Sequence, residues 1–436
     1  MKRYFLQFYN FLFILSPWVV FVAMLQFHFQ SFLPYQGIFK GQFPFDYWTV
    51  VDLFVMTLFI VFFVGVLSDS ILINKAKIPL ILWLGVFLLV VSGILQIFLQ
   101  EIHEPILNAP FEYFRSLFLY PIIFVLLLYK TLKEEIIEKI VISYIIMVGI
   151  FAILALIQHF FGIFPGEQKD FTGRLAWPFV DYITLKSSSA NWAAFFATPA
   201  LIISFIQGVN LFVKKNFGWK LWLFLSVAVL SATVVYLTQS YGAYAAVFLT
   251  LSFFLFRKFS FKKFIILFLL LVIAGGGIYL LQKNSYKFKI LTNQIDFKYE
   301  TSATSRKEIF KMNWAIIKER PVLGVGLNQY QSYFKENQEK VLGHKLNESH
   351  IPPHAHNFFM SFWTNLGVFG FLGILLLIIG VFWHTKFLVG NPFVFVILAI
   401  MIHGLIDSYY WSQSTAYFFW MMIVLAHVFK SKIVVK

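Results

Sequence analysis

The sequence contains no cysteine. Disulfides and thiolate metal sites are therefore excluded, and cysteine usage says nothing about the redox compartment. Charge is also scarce. Only 13% of the residues are Asp, Glu, Lys or Arg, against about a quarter in a typical soluble domain. Acidic residues are the scarcer sign, 20 against 35 basic ones. No internal repeat is visible, and no low-complexity tract beyond Phe-rich stretches.

What fills the chain instead is apolar. The residues are 60% hydrophobic and 20% aromatic, and runs of about twenty apolar residues, enough to cross a bilayer, recur along most of the length. The reading is an all-α polytopic membrane protein with about twelve transmembrane helices. They are expected near 5–28, 47–67, 78–99, 113–130, 139–161, 190–207, 219–238, 241–256, 264–282, 357–382, 393–411 and 415–430. The turn in "LTQSYGAY" is so tight that the spans on either side must break at the same membrane face. The opening "MKRYFLQFYNFLFILSPWVVFVAMLQF" has a basic start, a long apolar run and no clear small-residue cleavage site, so it reads as a retained first span.

The formal net charge is +15. In a soluble protein that would suggest nucleic acid. In a membrane protein it reflects the Lys and Arg that collect on the cytoplasmic side, so no nucleic-acid partner is expected. With the N-terminus inside, the inner segments hold Lys2, Arg3, Lys75, Lys77, Lys130, Lys133, Lys214, Lys215, Arg257, Lys258, Lys262, Lys263, Lys430 and Lys432. The short outer loops hold only Lys40, Lys169, Arg174 and Lys186. Both termini are then cytoplasmic, and the long polar segment lies outside. The expected organisation is nine spans in 1–282, an extracytoplasmic loop for catalysis and substrate binding in 283–355, and three spans in 356–436.

A loop of that length is usually functional. In it, "SRKE" has the form of a capping box, with Ser305 as cap and Glu308 reaching back. The following stretch places Phe310, Trp314 and Ile317 at helical spacing, and Pro321 ends the helix. A second amphipathic stretch puts Leu327, Tyr330 and Phe334 on one face. Both helices would lie on the membrane surface or cap a cavity between the spans.

Several residues carry chemistry in this reading. Arg306, in the first turn of the first outer helix, is either a solvated surface arginine or part of an anion site with the free N–H groups there. Gly324 and Gly326 in "RPVLGVGLNQY" either let the backbone approach a ligand or form a plain turn. Arg174 and Lys186 in an outer loop suit lipid phosphate or substrate. His344, Glu348, His350, His354 and His356 fall close together. Their spacing is not a recognised metal-ligand frame, and no metal or other cofactor is assigned. Pro352 and Pro353 stop a helix continuing backward, which places His356 in the first turn of a span. The positive helix end there favours a neutral imidazole able to accept a proton from a hydroxyl. The alternative is an interfacial histidine. In "IHGLIDSYYW", His403 and Asp407 are spaced to share a helix face, as a functional site within the membrane or a structural pair.

With these residues assembled, the chain resembles the O-antigen ligase and polymerase superfamily, bacterial inner-membrane glycosyltransferases of the C-type fold. The block "SRKEIFKMNWAIIKERPVLGVGLNQYQSYF" is similar to that family's outer-loop signature, an Arg-bearing helix with Trp314, then Pro-x-x-Gly-x-Gly and aromatics. "HAHNFFMSFWTNLGVFGFLG" is similar to its His-Asn motif, here His356 and Asn357, before a Gly-rich span. "GRLAWPF…SSANWAAFFATPAL" is similar to its Arg loop and a span headed here by Asn191. Two positions depart from the pattern. Tyr241 stands after the Ser of "TQS" where the family often has arginine. Asn365 stands where an acidic residue is common.

The resemblance implies an inverting transfer of a glycan from a polyprenyl (undecaprenyl) diphosphate carrier to an acceptor hydroxyl, without a metal, on the outer face of the cytoplasmic membrane. It implies Arg306 and Arg174, with Lys186, on the diphosphate and His356 as the base, with His354 beside it. The acceptor would be a glycan, lipid or protein, which leaves ligase, repeat-unit polymerase and protein O-oligosaccharyltransferase open. The reading from another class is a transporter or flippase of lipid-linked sugars. Its relay would be His403 and Asp407, and it predicts inverted repeats, which are not seen. A third is a metal-dependent outer-face hydrolase.

Overall fold

The computed structural model describes residues 2–24, 50–71, 73, 78–99, 109–131, 134–164, 168–169, 173–176, 190–285, 288–289, 302–346 and 351–429. Among these the regular structure is helical, apart from one isolated bridge between Lys169 and Leu175. The order is α1 (Lys2–Met24), α2 (Val50–Leu67), α3 (Leu80–Leu99), α4 (Ala109–Phe114), a π-helical turn (Arg115–Leu119), α5 (Tyr120–Thr131), α6 (Glu134–Phe161), α7 (Ala190–Val213), α8 (Trp219–Thr238), α9 (Tyr241–Lys258) and α10 (Phe261–Gln282). Then come α11 (Ser302–Glu319), α12 (Tyr330–Leu342), α13 (Phe358–Thr385), α14 (Pro392–Gly404) and α15 (Gln413–Val428).

Each expected span coincides with a helix, the fourth being α4, the π turn and α5 together. Among the described residues, 9 helices are long and apolar enough to cross a membrane. The protein is an all-α polytopic membrane protein. The spans expected at 393–411 and 415–430 are the shorter apolar helices α14 and α15. The tight turn between α8 and α9 is present, with Gln239 in the left-handed region.

The helices pack through apolar faces into one large core. The pairs α7–α8 and α3–α13 are the most extensive. In the second pair small residues bring the backbones together. A Cβ on Gly85 would lie 2.9 Å from the Gly373 carbonyl. Close approach of this kind replaces the hydrophobic drive that lipid cannot supply between helices.

Between α10 and α13, α11 and α12 form a second, smaller core. Ile309, Met312, Ile316, Tyr330, Tyr333 and Phe334 are all buried in it. Two sequence expectations for α11 are corrected. The helix starts at Ser302, before the expected cap, and Glu308 does not reach back. It pairs with His344 at 2.9 Å instead. Of the expected stripe, Ile317 is buried but Phe310 and Trp314 are not, because α12 packs on the face of Ile309, Met312 and Ile316. Trp314 is left 54% exposed. For α12 the expected face holds, with Leu327, Tyr330 and Phe334 buried.

The turn between α11 and α12 is inserted into a break in α13. At Gly367 the backbone adopts φ 66°, ψ −165°, a region essentially confined to glycine. The break frees backbone groups that must find partners in an apolar surrounding. Thr364 O accepts from Val325 N at 2.7 Å, and Val368 N donates to Pro321 O at 2.9 Å. The Trp363 indole donates to the same Pro321 carbonyl, and Gln96 of α3 donates to Leu323 O. Gly324 and Gly326 therefore serve a turn, and at Gly324 the close approach is to protein backbone. A Cβ there would lie 2.4 Å from Thr364 O.

A Cβ on Gly367 would lie 1.9 Å from Val322 O, at positive φ. Gly367→Ala is expected to destabilise the fold by about 2 kcal/mol or more. Thermal unfolding in detergent checks this, and an unchanged midpoint would show that the turn does not fill the break.

Candidate functional site

The polar cluster forms where four segments meet: the start of α7, the N-terminal half of α11, the loop before α13 and the loop after α14. At its centre is Asp407, only 4% exposed. An isolated carboxylate cannot be buried without compensating donors, and here they converge. Asp407 Oδ1 lies 3.0 Å from His356 Nδ1 and accepts from Ser408 N at 2.8 Å. Oδ2 accepts from Asn191 Nδ2 at 2.7 Å and lies 3.8 Å from Arg306 Nη2. Burial pushes the Asp407 carboxyl up. The hydrogen bond from His356, the imidazoles of His356 and His354, and the Arg306 guanidinium outweigh it and hold the carboxyl well below the usual carboxylate range.

Each partner is held by local structure. Asn357 caps α13, its side chain accepting from Met360 N at 2.9 Å. Its amide donates to Leu405 O at 2.8 Å, tying the His loop to the end of α14. Ser361 and Ser408 join the same two segments through their hydroxyls at 2.7 Å. On the other side, Asn313 of α11 donates to Ala355 O at 2.9 Å and accepts from Tyr330 OH at 2.6 Å. Asn313 is fully buried. It holds the carbonyl between the two histidines and was not among the sequence candidates. The available signal was a lone amide within the apolar stripe of α11.

Two further expectations are corrected. His356 is not in the first turn of the span. Asn357 is the cap and α13 starts at Phe358, so His356 precedes the helix, at φ +45°. That left-handed conformation is uncommon for a residue other than glycine. Asp407, rather than the helix end, is the group next to its ring. His403 and Asp407 do not share a helix face either, because α14 ends at Gly404, where a Cβ would press on Phe358. His403 Nε2 lies 3.3 Å from Ser240 Oγ instead.

His354 stands beside His356, ring centroids 4.4 Å apart. Burial, and then the neighbouring His356, push its imidazole down to about 4. Tyr241, one residue after Ser240, lies next to the α14 end, and Arg174 is within electrostatic reach of it. Leu175 N donates to Leu237 O at 2.9 Å, fixing the arginine loop on the end of α8. Trp314 is outside the cluster. Lys186, Glu348 and His350 lie outside the described residues.

Ligand atoms of His354, His356 and Asp407 lie within 4.8 Å of one another, a grouping able to hold a metal ion. The surroundings fit a cation poorly. The carboxylate already receives hydrogen bonds from Ser408 and Asn191 and faces His356, and the Arg306 guanidinium 3.8 Å away would repel a second positive charge.

These features define a multi-pass membrane protein with a helical polar insert and an Arg–His–Asp cluster beside it. Residues 226–375 match the protein-family model described as O-antigen ligase, which supports membership of the O-antigen ligase superfamily. The matched region contains Tyr241, Arg306, Trp314, Gly324, Gly326, His354, His356 and Asn357, and leaves Arg174, Asn191, His403 and Asp407 outside. No curated protein matches the chain.

His354 supplies a pH test. Its folded value lies below the ordinary histidine value of about 6.5. The unfolded chain therefore takes up the proton first as pH falls. Stability should be full above about pH 6.5 and decline towards about pH 4. His354→Gln is expected to flatten that decline, read by denaturant unfolding in detergent across this range. An identical slope in the variant would remove His354 as its source.

Proposed function

We propose that the protein is a glycosyltransferase that moves a glycan from a polyprenyl diphosphate carrier to an acceptor hydroxyl, on the outer face of the bacterial cytoplasmic membrane. The observation that carries this reading is the His356–Asp407–Arg306 cluster, in which a base, a carboxylate that orients it and a guanidinium share one site. With Asp407 ionised, His356 Nδ1 carries the proton it donates, which leaves Nε2 with a free lone pair. His356 remains 26% exposed and Arg306 29%, against 5% for Asp407. The two groups that would meet substrates are thus the accessible ones.

In this mechanism the acceptor oxygen attacks the anomeric carbon from the face opposite the diphosphate. The bond between that carbon and the diphosphate oxygen breaks, and the electron pair leaves with the lipid diphosphate. The acceptor proton passes to His356 Nε2. Negative charge grows on the phosphate oxygens as the bond breaks, and Arg306 stabilises it. Arg174, beside Tyr241, supplies the cation that the family pattern has at the Tyr241 position. The configuration inverts in this single displacement, and no metal takes part. Asn191 and Asp407 position the base and the guanidinium.

The basic residues support an orientation with both termini cytoplasmic and α11 and α12 outside. The segment 283–355, with the loop that follows it, then carries much of the donor and acceptor contact. Ligation to a glycan or lipid acceptor is the leading form of the reaction. Polymerisation of repeat units and transfer to a protein hydroxyl use the same chemistry. A transporter relay through His403 and Asp407 has less support, because the two side chains take different partners.

Purified protein in liposomes with a polyprenyl diphosphate glycan and acceptor tests this. His356→Ala is expected to lower the transfer rate by about 10²–10⁴-fold. Arg306→Ala should lower it by about 10²-fold or more, and a chelator should leave it unchanged. Normal rates in both variants would sink the assignment. Movement of the carrier lipid across the membrane without a new glycosidic bond would favour the transporter, and loss on chelation restored by zinc would favour a metal enzyme.

A further inference from the structure

At the end of the bundle away from Asp407 lies a second feature. α7 is 24 residues long, about 35 Å at 1.5 Å per residue. Asn191 is at one end and Val213 at the other. Around the Val213 end, α7, α8, α9 and α10 leave an apolar groove of about 520 Å³. Its walls include Phe205, Gly208, Val209, Leu255, Leu267 and Leu271. The volume falls within the usual range for a bound small molecule. The groove exists because α10 leans on the bundle only lightly. It packs mainly on α9, and its apolar residues, Phe264, Leu267 and Leu271 among them, are at most half-buried.

The mouth of this groove is basic. Lys258, at the last turn of α9, donates from Nζ to Asn210 Oδ1 at 2.8 Å. Asn210 is itself buried, at 5% exposure. Lys214 is close enough for its charge to act on Lys258. Lys215, Lys262 and Lys263 are exposed in the turns that follow α7 and open α10. Among the described residues no carboxylate forms an ion pair with any of these lysines. Lys258 is thus held by a neutral amide next to apolar space, with the exposed Lys214 near enough for the two charges to act on each other. Like charges so placed are unfavourable until an anion joins them.

We propose that this groove binds an anionic glycerophospholipid, with acyl chain along α7 and α10 and phosphate between Lys214 and Lys258. The apolar walls take the chain, and the paired lysines select charge. The site lies in the leaflet opposite the Asp407 cluster, so it is separate from the proposed transfer reaction. By the distribution of basic residues that leaflet is the cytoplasmic one, where anionic lipids concentrate.

Native mass spectrometry of the full chain from mixed micelles of phosphatidylglycerol and phosphatidylcholine tests this. Phosphatidylglycerol should be retained in preference. Each lysine near the phosphate contributes about five-fold in affinity, so Lys214→Gln with Lys258→Gln should weaken phosphatidylglycerol retention by about 25-fold. Phosphatidylcholine retention should stay the same. Gly208→Phe, which fills the groove, should lower retention of both. Thermal unfolding in detergent reports whether each variant is folded, and if the double variant is not, Lys214→Gln alone should still lose about five-fold. Equal retention of the two lipids by the unmodified chain would overturn the proposal, as would a folded double variant that keeps its preference. Stabilisation by inorganic phosphate equal to that by phosphatidylglycerol would also overturn it, because the chain would then contribute nothing.

Discussion

The candidate site depends on one constraint, the burial of the Asp407 carboxylate. A charge removed from water in this way is tolerated only when charged or polar donors surround it. The donors come from the start of α7, from α11, from the loop before α13 and from the backbone of Ser408. Gathering them draws the polar insert onto the membrane bundle. It also sets the His356 ring, because an ionised carboxylate at Nδ1 decides which nitrogen is left to meet a substrate. The same interaction that satisfies the buried charge thus prepares the group proposed as base.

The second anchor is the break in α13. A helix interrupted at Gly367 frees backbone groups that lipid cannot satisfy, and the Pro321–Val325 turn takes the Thr364 carbonyl and the Val368 amide. Seated there, the turn fixes the end of α11, and α11 fixes Arg306 and Asn313. Asn313 then holds the Ala355 carbonyl between the two histidines. Arg306 and His356 are therefore placed by a chain of contacts that starts at the α3–α13 pair, where Gln96 bonds to the inserted turn at Leu323 O and Ser92 to Leu366 O just before the break.

Much of this was legible in the sequence, and the misses have specific causes. Apolar runs located the spans because hydropathy and length are properties of a segment alone. Arg306, His354, His356, Asn191 and Asp407 were all candidates, since each is a polar residue in a place that calls for a reason. The partner of Asp407 was misread because spacing assumes that a helix continues, and α14 stops at Gly404. In the buried stripe of α11, Ile317 was placed correctly but Trp314 was not, because it looks like a core residue whereas α12 covers the face of Ile309, Met312 and Ile316. Asn313 was passed over because an amide in an apolar stripe carries no sign of which carbonyl it will meet.

The sequence by itself determined that this is a multi-pass helical membrane protein with a polar insert before its last spans. A span needs about twenty apolar residues whatever surrounds them, and basic residues bias the sides. It also determined the chemical inventory, with histidine, arginine and carboxylate present and cysteine absent. Only the tertiary structure decided the pairings. His356 and Asp407 are 51 residues apart in the chain, and Asn191 and Asp407 are 216 apart. Such contacts arise from where helices end and how closely their backbones approach. Those depend on a glycine at a break and a carbonyl left unpaired, and local periodicity does not encode them.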